Sequence, residues 1–133
     1  MMKTNLKVID MTTFDFGDGK GPVAAHKHIN GGGWVADTVF VADTAFVGPD
    51  ARVFGNAVVY GNAMVSGNAE VSGTAWVYGN AEVSGTAWVY GNAMVSGNAR
   101  LSGDARVSDT ALVSDTARVS GDAEVSGKAR VTE

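Results

Sequence analysis

From Val35 to the end of the chain, every sixth residue is aliphatic. The seventeen positions are sixteen valines and Leu101, the last being Val131. Two residues before each, from Val41 onward, stands an apolar partner: Val39 first, then fifteen alanines from Ala45 to Ala129. The residue between them varies. After the aliphatic comes Ser or Tyr in most units, then a corner pair such as Gly-Asn, Gly-Thr, Gly-Asp, Asp-Thr, Pro-Asp or Gly-Lys. A period of six matches no helical face. A small inward residue, an outward one and an inward Val within three positions is strand alternation. Val suits a pleated surface because its branched side chain packs well there. Gly, Asn, Asp and Thr at fixed offsets supply tight corners. A short strand and a corner, repeated, predict a polygonal coil whose turns stack as parallel strands. Ala81 and Val83 are then expected inside and Glu82 outside.

This aliphatic-x-x-x-small-x wording resembles the hexapeptide repeat of the left-handed parallel β-helix superfamily, which includes acyltransferases, γ-class carbonic anhydrases and some antifreeze proteins. The resemblance covers residues 34–133. It implies an all-β, left-handed parallel β-helix, a triangular solenoid of 18 residues per coil and about five and a half coils. Residues 1–33 do not repeat and are expected to form a short N-terminal cap. Within them "LKVIDM" predicts a strand, "FDFGDGKG" a turn and "PVAAHKHI" a second strand. The Ser or Tyr after the aliphatic departs from the enzymes' usual Gly, Ala, Glu or Asp. The phrase "GNAxVSGNAxVYG" and the lead-in "AHKHINGGGWVADT" look more like uncharacterised repeat proteins of bacteria and their phages.

Stepping by eighteen sorts the residues before each aliphatic onto three faces. Face one carries Trp34, Arg52, Glu70, Trp88, Arg106 and Glu124. Face two carries Phe40, Val58, Trp76, Met94, Leu112 and Arg130. Face three carries Phe46, Met64, Glu82, Arg100 and Arg118. The twelve-residue phrase "GNAEVSGTAWVY" occurs twice in tandem, and its two tryptophans fall on different faces, Trp76 on face two and Trp88 on face one. Face two is apolar for five successive coils, with Tyr60 and Tyr78 beside the stripe. A contiguous exposed apolar strip is unfavourable in a soluble monomer. It predicts an oligomer interface, and the resemblance implies a homotrimer. On faces one and three, Arg52 beside Glu70 and Arg106 beside Glu124 are expected as solvated cross-strand pairs.

Composition narrows the function. Net charge is −4 and the pI about 5, which argues against nucleic acid as a partner. There is no cysteine, so disulfides and thiolate metal sites are excluded. No apolar run has membrane-spanning or signal-peptide length, so a cytoplasmic protein without a membrane partner is expected. The two histidines, His26 and His28, are two residues apart on the expected cap strand and would share one side; without a third ligand they predict no metal site. The enzyme relatives need a general-base His in a cleft or a zinc held by three histidines, and residues 34–133 contain no His. The antifreeze relatives display Thr-x-Thr ladders, whereas here the threonines sit at corners. These features predict a non-catalytic oligomeric solenoid without a cofactor, serving as a structural or interaction module. An alternative is a binder of a small, anionic ligand in grooves between subunits, using Arg52, Arg100, Arg106, Arg118 and Trp88. An acyltransferase-like enzyme is third.

Overall fold

The computed structural model describes residues 12–133. All regular structure in them is β: strands β1 (Thr13–Asp15), β2 (Pro22–Lys27) and β3 (Trp34–Ala36), then two-residue strands from β4 (Phe40–Val41) to β19 (Arg130–Val131) at the six-residue interval. The expected strand in "LKVIDM" lies outside the described residues. The expected turn in "FDFGDGKG" is shorter than read, because Phe14 and Asp15 already belong to β1.

The strands form three sheets of eight, six and five, and within the solenoid each pairs in parallel with the strand one coil away. The register is eighteen residues throughout: Trp34 opposite Arg52, Phe40 opposite Val58, Phe46 opposite Met64. The protein is a parallel β-solenoid of about five turns. Hydrogen bonds between coils continue round the corners, as from the Asn56 amide to the Gly73 carbonyl at 2.8 Å. Few backbone groups between stacked coils are therefore left unpaired.

Each unit contributes two residues to the interior. Alanines from Ala45 to Ala117 and valines from Val47 to Val113 are fully buried in one continuous core, and Glu82 between Ala81 and Val83 points outward. Full burial of a Val contributes about 1.5–3 kcal/mol. Ala is required beside it because the chain bends there and the next coil lies directly above.

The corners explain the glycines. At Gly73 φ is +66°, and a Cβ would meet the Gly91 amide nitrogen at 2.9 Å. Both the left-handed backbone and the close approach exclude a side chain. Two corners carry Asp instead, Asp109 and Asp115, each with φ 59°. Asp visits this conformation more readily than most residues other than Gly. The Asp109 carboxylate accepts the Gly127 amide at 2.9 Å. Asp37 and Asp43, which open similar Asp-Thr corners in the first coil, keep negative φ. One corner wording thus serves two backbone shapes.

Before the first coil, β1 and β2 pair antiparallel, and β2 lies antiparallel on the free edge of β3. Residues 30–33 cross the edge of face three, with Gly33 donating to Val47 and Val47 donating to Asn30. The hairpin also builds a second small core. Phe14 stacks on Trp34 at 4.7 Å between ring centroids, and Phe16 stacks on Phe54 at 4.9 Å. Phe16 and Phe54 are buried there with Ala25 and Ala36.

Candidate functional site: the outward faces of the solenoid

Each outward side chain is aimed by an inward neighbour. Because Val77 is locked in the core, Trp76 must project from face two; because Val89 is locked, Trp88 must project from face one. The three columns read from the sequence are the three sheets of the fold.

Face two brings its predicted residues together. Phe40, Val58, Trp76, Met94 and Leu112 are successive partners across one sheet, with Arg130 last. Tyr60 and Tyr78 stack face to face at 4.9 Å along its edge. Trp76 meets both edge-on, at 6.2 Å from Tyr60 and 6.3 Å from Tyr78. The three rings form a rigid ridge, since each restrains the rotamers of the others. Phe40 is 58% exposed, Trp76 39% and Met94 39%.

The five residues proposed for a ligand are not gathered in one place. Arg52 lies under the hairpin, its guanidinium 5.0 Å from the centre of the Phe14 ring. Arg106 lies 5.2 Å from the centre of the Trp88 ring, and Trp88 also meets Tyr90 edge-on at 6.3 Å. Arg100 and Arg118 are direct partners on face three. The residues therefore fall into three separate settings on two faces.

The expected Arg–Glu pairs have the predicted register, Arg52 against Glu70 and Arg106 against Glu124. Neither closes to an ion pair; among the described residues only His26 and Asp37 approach within ion-pair distance. Both guanidinium groups lie over aromatic rings instead, where cation–π attraction competes well with a solvated ion pair. Glu70, between Arg52 and Trp88 in the column, has its pKa raised above the ordinary carboxylate value by burial, partly opposed by the charge of Arg52.

The histidines do not share a site. His26 Nδ1 lies 2.6 Å from Asp37 Oδ1 at an exposed position. β2 ends at Lys27, and His28 turns into the protein, where Nε2 donates to the Ala45 carbonyl at 2.8 Å. A carbonyl can only accept, so Nε2 carries the proton. No group of three or more His, Asp or Glu side chains among the described residues is arranged to hold a metal ion.

Sequence reasoning missed the cluster of Phe14, Phe16, Trp34 and Phe54. One signal for it exists: Phe54 is the only Phe among the positions that follow the aliphatic. A cleft of about 220 Å³ lies beside this cluster, between Lys20 of the hairpin turn and the Asp37–Thr38 corner.

Together these features define the class: a repeat β-solenoid, with patterned outer faces and a valine–alanine interior. The family model described as the YdcK beta solenoid repeat matches residues 59–73 and 87–102, in agreement with a repeat β-helix superfamily. No curated protein and no solved structure matches the chain significantly. No helix among the described residues is long and apolar enough to cross a membrane.

Proposed function

We propose that the protein is a non-catalytic structural or interaction module that assembles with copies of itself through face two, three solenoids about a common axis. The observation that carries this reading is the uninterrupted apolar column from Phe40 to Leu112 with the Tyr60–Trp76–Tyr78 ridge beside it. Five stacked coils expose apolar groups on this face, while faces one and three carry charge by their second or third coil. The ridge is pre-ordered by its own ring contacts, so little side-chain entropy is lost when a partner covers it. Trp76 is the natural anchor, because a buried Trp contributes more contact area than its neighbours.

The non-catalytic part of the reading rests on the histidines. Neither stands in the coils; His28 is committed to the Ala45 carbonyl and His26 pairs with Asp37. The purified protein is expected to show no acetyl-CoA-dependent transfer and no CO2 hydration. Turnover that disappears on His28→Ala would overturn this. Assembly is tested by multi-angle light scattering of the wild type, expected at three chain masses. A monomeric mass at micromolar concentration would sink the reading.

A further inference from the structure

Face three carries an arrangement that assembly does not use. Arg100 and Arg118 stand directly opposite each other on adjacent parallel strands, both exposed. Adjacent strands are about 4.8 Å apart, and like charges directly opposite destabilise a sheet. Elsewhere on the solenoid Arg52 and Arg106 each neighbour a Trp and a Glu along the sheet, and Arg130 neighbours Leu112. Arg118 has only Arg100 as its strand partner, and no carboxylate among the described residues lies within ion-pair distance of either.

Arg100 and Arg118 line an open groove of about 400 Å³ together with Glu82, Leu101, Ser84, Ser102 and Ser120. The serines follow the inward aliphatics Val83, Leu101 and Val119, so they rise in a column parallel to the arginines. The Ser84 hydroxyl donates to the Leu101 carbonyl at 3.2 Å, whereas the Ser102 and Ser120 hydroxyls have no hydrogen-bond partner among the described residues. Asp104 and Asp122, at the corners just beyond these serines, line a different groove, that of Trp88 and Arg106 on face one. Glu82 is the one carboxylate in the face-three groove, next to Arg100 and two strands from Arg118. It repels an anion at its own end of the groove.

We propose that this groove is a seat for a tetrahedral oxyanion of the phosphate or sulfate class. The Arg100 and Arg118 guanidinium groups hold it, and the Ser102 and Ser120 hydroxyls are neutral donors. A planar guanidinium presents forked donors that match such oxygens, and charge-assisted bonds of this kind are the strong ones. A bound anion also removes the repulsion between the two arginines. The seat is complete within one chain, unlike a groove formed between subunits, and it lies off face two. A monomeric wild type would leave it standing.

The test is calorimetric titration of the full chain with inorganic phosphate, with sodium chloride balanced to hold ionic strength constant. Inorganic sulfate and glycerol phosphate are parallel arms, showing whether the free ion or a monoester is preferred. One saturable site per chain is expected. Losing one charge-assisted contact weakens binding by about ten- to a hundredfold. Arg118→Gln should show that loss, while Arg130→Gln, on face two, should change affinity by less than about twofold. Without phosphate and at low ionic strength, Arg118→Gln should melt above the wild type, because it removes the like-charge pair. In the unsubstituted protein, backbone amide shifts on adding phosphate should concentrate at Arg100, Ser102, Arg118 and Ser120. The proposal is overturned by the absence of saturable binding in all three arms, by equal weakening in Arg130→Gln, or by shifts spread over all arginines.

Discussion

Trp34 and Trp76 occupy the same place in the repeat, each outward and each followed by an inward Val, yet they meet different surroundings. Trp34 is half-buried, stacked under Phe14 of the hairpin, and nearby Phe54 is buried beneath Phe16. Trp76 touches only Tyr60 and Tyr78 among the aromatics and remains exposed. At the start of face one the chain covers its own outward aromatics; along face two, from Phe40 of the first coil to Trp76, it leaves them exposed. An outward aromatic in this solenoid is therefore compatible with being a contact surface. The covered region shows what such contact looks like: ring against ring, with a guanidinium closing the side. The uncovered column offers equivalent chemistry to a second copy.

The sharpest way to break this comparison is to charge each aromatic in turn. Trp76→Glu would bury a carboxylate against copies of itself, which is strongly unfavourable. If face two is the proposed interface, it should yield monomers with unchanged far-UV circular dichroism, since Ala75 and Val77 are untouched. Trp88→Glu, the equivalent change in the duplicated phrase but on face one, should leave the mass as it was. Light scattering on both variants decides the matter, and dissociation by the Trp88 change alone would refute the interface.

The covered region is tested by removing its cover. Phe16 is 4% exposed, and truncating a buried Phe removes about 3–5 kcal/mol. Phe16→Ala should lower the thermal midpoint markedly, and Phe14→Ala less, because the Phe14 ring is only partly buried. Neither change should alter the oligomeric mass. Loss of assembly in Phe16→Ala at a temperature where the fold persists would mean that the two regions are not independent.

Smaller effects probe the core and the column beneath the cover. Ala81→Leu should overpack a corner, at about 1–3 kcal/mol, while Glu82→Leu next to it should change stability little; equal effects in chemical denaturation would place the register in error. The smallest expected effect is at Glu70. Its raised pKa means that its contribution is most favourable when it is protonated and is lost as pH rises through the folded-state pKa. Glu70→Gln should therefore match the wild type in acid, below the ordinary carboxylate range, and melt slightly higher at neutral pH. Midpoints measured across that range check the sign; a variant less stable at neutral pH would mean that attraction to Arg52 outweighs burial.

The hexapeptide period alone determined the inside and outside of the solenoid; that three units close one coil, and with it the eighteen-residue register and the membership of each face, was implied by the family resemblance and is what the structure shows. The reason is that strand alternation and corner spacing are local and repeat without an insertion, so every unit turns its Val and its small partner the same way. The apolar column of face two, with Tyr60 and Tyr78 beside it, was legible once the eighteen-residue coil of the resembled family was adopted. Only the tertiary structure decided what lies outside the period. Phe14 and Phe16 are joined to Trp34 and Phe54 by the path of a hairpin that no repeat dictates. His26 and His28 diverge because β2 ends between them. Arg52 and Arg106 lie over rings and not against carboxylates, because register sets which strands are neighbours while side-chain packing chooses the partner. Asp109 takes a left-handed corner that Asp37 does not, although both stand in an Asp-Thr pair. Its carboxylate finds the Gly127 amide of the coil above, a contact that exists only once the coils are stacked.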